Sequence, residues 1–95
     1  MVIGMLRLTW DVPAASLKEK RGIVRPIIER ARHRFNAAIA EVDALDDPAR
    51  AVVCVAVVSN DARHADSQLQ AILAAIEGWA GDAVLSGVET ELLHP

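Results

Sequence analysis

Residues 51–58 read AVVCVAVV, eight apolar positions in a row between Arg50 and Ser59. A run of that length, rich in β-branched valine and closed at both ends by polar residues, is a strand and not a helix segment. Because it is apolar on both faces, it belongs in the middle of a sheet. Its surroundings must therefore supply neighbours on both sides. Upstream, DALDDPAR (43–50) is a polar turn, and AAIAEV (37–42) before it reads as a short strand that folds back onto the central one. Downstream, Ser59 and Asn60 offer an N-cap, and Ala65, Leu69, Ile72, Ile76 and Ala80 recur at helical spacing until Gly81 closes the segment.

The two ends of the chain complete the pattern. Val2, Leu6, Leu8, Trp10 and Val12 share one parity, and Ile3, Met5, Arg7, Thr9 and Asp11 the other, so residues 2–12 form a strand with one wholly apolar face. Pro13 ends it. Ser16 with Glu19 three places on is a capping box, and Leu17, Val24, Ile27, Ile28, Ala31 and Phe35 define the buried stripe of a first helix. Pro26 inside that helix removes a hydrogen bond and crowds the Gly22 carbonyl, which predicts a kink. Asn36 is the stop. Residues 84–93 alternate apolar with polar and make a last, half-exposed strand.

The order β-α-β-β-α-β predicts one α+β domain over residues 1–95, a ferredoxin-like sandwich. Its four-stranded antiparallel sheet has strands one and three at the centre, strands two and four at the edges, and both helices on one face. The other face, carrying Ile3, Met5, Arg7 and Thr9, is left to solvent or to a second copy.

Composition sets outer limits. With Cys54 as the only cysteine no internal disulfide exists, and a reducing, cytoplasmic setting is expected. No apolar run approaches the roughly 20 residues of a membrane-spanning helix, so no membrane partner is expected. An apolar fraction of 53% exceeds the usual share and points to apolar surface covered by a partner. The net charge of −3 argues against general affinity for nucleic acid, but its distribution is uneven. Seven of the ten basic residues lie between Ser16 and Phe35 against two glutamates, whereas the rest of the chain holds three basic and eleven acidic residues. A basic helix on an acidic body meets a polyanion in one orientation.

SLKEKR (16–21), RFNAAIAEV (34–42) and AVVSNDARH (56–64) resemble the YlxP-like family of small bacterial proteins. The resemblance runs through nearly the whole chain. It implies a ferredoxin-like fold, no established enzymatic activity, and genes placed beside transcription-termination, translation-initiation and ribosome-maturation factors. The chain departs from the family pattern at DALDDPAR and at Ala37 and Ala38, where relatives carry bulkier residues.

Two candidate sites follow. Lys18, Arg21, Arg25 and Arg32 fall within about 60° of arc on the first helix and form a candidate RNA-binding stripe. The competing reading is a solvated face with Glu29 paired locally. The topology also sends Arg32, His33, Arg34 and Asn36 toward Asn60, Asp61 and His64, a polar cluster better suited to capping and scaffolding than to anion binding or acid–base chemistry. Cys54 reads as core packing, as do Trp10 and Trp79 as core or rim. His33, His64 and His94 show no metal-ligand spacing, so neither metal nor cofactor is expected.

Recognition by stacking bases on the open sheet is excluded by composition, with no tyrosine and a single phenylalanine, Phe35, on a helix. Acylphosphatase-like chemistry lacks its glycine-rich cradle in Pro13-Ala14-Ala15-Ser16. The expectation is a non-enzymatic protein that docks on structured RNA, with ribosomal RNA or the ribosome as partner. The alternative is a homodimer formed through the open face or a sheet edge, with a protein partner and no nucleic acid.

Overall fold

The computed structural model describes all residues, 1–95. Six elements follow one another: β1 (Val2–Asp11), α1 (Leu17–Arg34), β2 (Ala38–Asp43), β3 (Arg50–Ser59), α2 (Ala62–Trp79) and β4 (Val84–Leu93). They form a four-stranded sheet in the order β2-β3-β1-β4, with every pairing antiparallel. The expected βαββαβ arrangement is therefore the observed one. The apolar run of β3 lies at the centre beside β1, paired from Val2 opposite Ser59 to Asp11 opposite Arg50.

One face of the sheet carries the core. Leu6, Leu8 and Trp10 of β1 and Val53, Val55 and Val57 of β3 are buried under Val24, Ile27, Ile28 and Ala31 of α1 and Ala65, Leu69, Ile72 and Ile76 of α2. Each valine, leucine or isoleucine among them contributes about 1.5–3 kcal/mol when fully buried. Gly4 sits beneath α2, where a Cβ would lie 3.0 Å from Val57 Cγ2 and 3.1 Å from Leu69 Cδ1. The missing side chain lets Leu69 of the helix descend onto the strand.

The helix ends follow local chemistry with two departures from expectation. Ser16 Oγ accepts the Glu19 N–H at 3.1 Å, and Glu19 Oε2 accepts the Ala15 N–H at 3.2 Å, so the reciprocal cap forms with one partner shifted by a residue. α1 then continues unbroken through Pro26. At α2 the cap is Asp61, whose Oδ1 accepts the Arg63 N–H at 3.1 Å, while Ser59 Oγ accepts the Asp61 N–H one turn earlier. A carboxylate suits that position better than Ser59 or Asn60, because it also meets the positive end of the helix dipole.

The second face of the sheet has no helix over it. Strand registers arrange its residues in rows: Ala38, Ala56, Met5 and Glu91 form one, and Ala40, Cys54, Arg7 and Glu89 the next. Cys54 is thus half-buried on the open face and not in the core, because the inward parity of β3 belongs to Val53 and Val55. Arg7 reaches across β3 to place Nη2 3.2 Å from Asp43 Oδ2 on β2. Its stem crosses the part of β3 where Val52, on the same face, is fully buried.

Candidate nucleic-acid interface on the first helix

Packing of α1 against the sheet divides its basic residues into groups with different fates. The buried stripe turns Lys18, Arg21, Arg25 and Arg32 to the flank nearer β2, and Arg30 and Arg34 to the flank nearer α2. Lys18, Arg21 and Arg25 are exposed and join no ion pair; Arg21 Nε only approaches the Leu17 carbonyl of its own helix, at 3.4 Å. These are three of the four stripe residues.

The fourth is engaged. Arg32 donates from Nε and Nη2 to the Ile39 carbonyl, at 3.0 and 2.6 Å, and from Nη1 to Glu29 Oε1 at 2.9 Å. Most of its donor fork is spent on tying the end of α1 to edge strand β2. Lys20, also counted in the basic run, lies on the buried side and is 2% exposed. Its ammonium donates to the carbonyls of Ala44 at 2.9 Å and Arg50 at 3.1 Å, and lies 2.9 Å from Glu41 Oε2. The carboxylate contact is close but off the hydrogen-bonding direction, so Oε2 gains charge neutralisation without an aligned bond. Lys20 thereby fastens both ends of the DALDDPAR turn to α1. The residue is in phase with the apolar stripe, four, seven and eleven places before Val24, Ile27 and Ala31, and that phase is the signal that identifies it.

The same turn holds Ala44 at φ 54, a left-handed conformation that alanine adopts at a cost of roughly 1–2 kcal/mol. Its carbonyl accepts a hydrogen bond from the Lys20 ammonium and its N–H donates to Asp43 Oδ1 at 2.8 Å. That backbone bond, with Arg7 adding a second, holds the Asp43 carboxyl below its ordinary value of 3.8.

On the opposite flank Arg30 stacks over the Trp79 ring at 4.4 Å from its centroid, and Arg34 lies 5.4 Å from Phe35 and 5.7 Å from Trp79. Trp10 is core and Trp79 is rim. The expected polar cluster does not assemble through contacts. No hydrogen bond or ion pair joins Arg34 or Asn36 to Asn60, Asp61 or His64; Arg34 is turned to the aromatic rings and Asp61 is the α2 cap. The attraction of the guanidinium to the rings of two half-buried residues wins over an exposed polar group. No group of three or more His, Cys, Asp or Glu is placed to hold a metal ion. No helix is long and apolar enough to cross a membrane.

Two hollows run along the free basic flank. One of ≈ 620 Å³ lies between α1 and β2 and is lined by Arg25, Ile28, Glu29, Arg32, Ala40 and Glu41. A second of ≈ 220 Å³ continues it toward the helix N-terminus, with Arg21 and Arg25 on its wall and Leu45 of the turn opposite. Arg25 and Glu41 border both, so Arg21 and Arg25 overlook adjoining hollows, with Lys18 outside them. Glu29 and Glu41 temper their charge.

Residues 3–89 match the family described as Protein of unknown function (DUF503). The chain belongs to that family. Within reach of the same family reading, it is 35% identical over 66 residues to the uncharacterized protein YlxP of Bacillus subtilis, covering 70% of this chain and 72% of that one. Solved structures share the fold at low identity. The de novo designed protein LFR1 1 with ferredoxin fold superposes with a TM-score of 0.59 at 16% identity, covering 100% of this chain and 88% of the design. A C-terminal segment of the alpha subunit of aIF2 from Pyrococcus abyssi gives 0.54 at 12% identity, covering 98% of this chain and 51% of that one. At such identities these structures speak for architecture alone.

Proposed function

We propose that this DUF503 protein is a non-enzymatic binding protein that docks on structured RNA, ribosomal RNA in particular, through the β2-side flank of α1. The observation that carries the reading is the set of Lys18, Arg21 and Arg25, side by side on one helix flank, exposed, and without a carboxylate partner. The guanidinium groups of Arg21 and Arg25 suit paired hydrogen bonds to phosphate oxygens, and the hollows beside them give room for a ribose–phosphate edge. The acidic remainder of the molecule restricts contact to that flank. The open sheet face offers bases nothing to stack on, since Ile3, Met5, Arg7 and Thr9 include no aromatic ring. A translation-linked setting agrees with the gene neighbourhood that the family resemblance implies.

Three phosphate contacts give a slope of log Kobs against log salt of roughly −2 to −3, so affinity for ribosomal RNA falls about 20- to 40-fold between 50 and 200 mM salt. A filter-binding titration at both salts checks this. The Arg21→Glu/Arg25→Glu double variant is expected to abolish binding. Absence of binding at low salt, or unchanged affinity in the double variant, removes the proposal.

A further inference from the structure

The face of the sheet away from the helices is built in a way that complements itself. Its two central rows run from small residues on β2 to carboxylates on β4: Ala38 to Glu91 through Ala56 and Met5, and Ala40 to Glu89 through Cys54 and Arg7. A third row reverses the sizes, with Asp43 on β2 and Gly87 on β4, joined through Val52 and Thr9. Arg7 starts on β1 but carries its charge across β3 to Asp43, so the positive group of the face sits on the β2 side. One Nη2 contact occupies it, which leaves further N–H donors of the guanidinium for a second carboxylate.

We propose that this face receives a second copy of the same chain, related by a two-fold axis that lies in the interface and runs along the strands. Such an axis exchanges left and right while keeping each row at its own height. It sets the partner's β4 over β2, so that the partner's Glu89 and Glu91 extend into the space above Ala40 and Ala38, with the partner's Glu89 the nearer of the two to the Arg7 guanidinium. Asp43 is set over the partner's Gly87. At the end of the face Ile3 meets the partner's Val58, a residue 69% exposed in the single chain, and the two exclude water. Long carboxylate side chains thus fall on the small residues Ala38, Ala40 and Gly87, and the partner's Glu89 comes toward the one cation of the face, Arg7.

The area agrees with this occupant. Strands of ten, ten, ten and six residues, spaced as antiparallel strands are, span about 600 Å² per copy, and two copies bury about 1,200 Å², at the lower end of specific interfaces. A nucleic acid does not fit a face that presents Glu89 and Glu91 and no aromatic ring. The interface lies on the layer opposite α1 and does not depend on RNA docking.

Cys54 sits in the middle of one row and is the only thiol, so it reports coverage of this face directly. Sedimentation equilibrium of the unmodified protein is expected to show a dimer with a Kd in the micromolar range, and a disulfide reagent is expected to label Cys54 at least tenfold more slowly above that Kd than below it. Ala40→Glu places a carboxylate where the partner's Glu89 would lie, and Val58→Asp charges the apolar end; both positions are exposed, and both variants are expected to be monomeric with fast labelling at all concentrations. Lys18→Glu on α1 is expected to change neither readout. A protein that stays monomeric to about 100 µM, a dimer whose Cys54 labelling ignores dilution, or a dimer that survives both substitutions overturns the proposal.

Discussion

Without the Lys20 ammonium, the carbonyls of Ala44 and Arg50 and the Glu41 carboxylate face one another with no donor between them. Lys20→Met, which keeps the stem and removes the charge, is therefore expected to cost about 3 kcal/mol, the lower end of what a broken buried pair costs because Glu41 retains some access to water. Urea unfolding measures it; a loss below about 0.5 kcal/mol contradicts the role. Lys20 is in phase with the apolar stripe, yet counting charges between Ser16 and Phe35 did not set it apart from the other basic residues. Its partners lie 24 and 30 residues downstream, and only tertiary packing brings them to it. Cys54 was illegible for a different reason. A strand apolar on both faces gives no parity signal, so which valines face the helices is fixed by pairing with β1 and not by composition.

Among the elements, β2 shows how an edge is protected. The strand is six residues long, has an irregularity between Glu41 and Asp43, and offers its Ile39 carbonyl to Arg32 instead of to another chain. Arg32→Ala is expected to speed amide exchange of Ile39–Glu41 and to cost about 1 kcal/mol, the net worth of one partly exposed charged hydrogen-bond pair, while β1 and β3 keep their protection. Uniform loss of protection across the sheet would contradict that local role. β2 also shows what element-level reading achieves. The order of elements followed from periods of 2 and 3.6 and from the unbroken apolar run of β3, and the places of β1 and β3 at the centre from that run and the βαββαβ connection rule, because tertiary packing here agrees with local pattern. Element ends moved by one or two residues where a side chain decided the matter, as Asp61 did for α2. Arg32 was in the stripe by helical phase, but its bond to an edge strand required the distance between α1 and β2, which periodicity does not contain.

At the scale of the molecule, the free positive charge of α1 and the exposed apolar residues of the open sheet face lie on opposite layers. The helical layer presents Lys18, Arg21 and Arg25; the sheet layer presents Met5, Val58 and Leu93 with Glu89 and Glu91. A dimer through the sheet would leave both α1 flanks outward, so the proposed RNA contacts of Lys18, Arg21 and Arg25 would stay clear of the interface. The excess of five positive charges in the sequence between Ser16 and Phe35 shrinks in the folded molecule to those three free cations on one flank, with Arg30 and Arg34 held against Trp79 on the other. That reduction sets the modest salt dependence expected and makes the location of binding the sharper criterion. Amide chemical-shift mapping by NMR during titration with a ribosomal RNA fragment tests it most directly. The account predicts shifts concentrated on Lys18–Glu29 and on the facing Ala40–Leu45, with the Ile3–Thr9 strand unmoved; shifts centred on the open sheet face or on Asn60–His64 would contradict it.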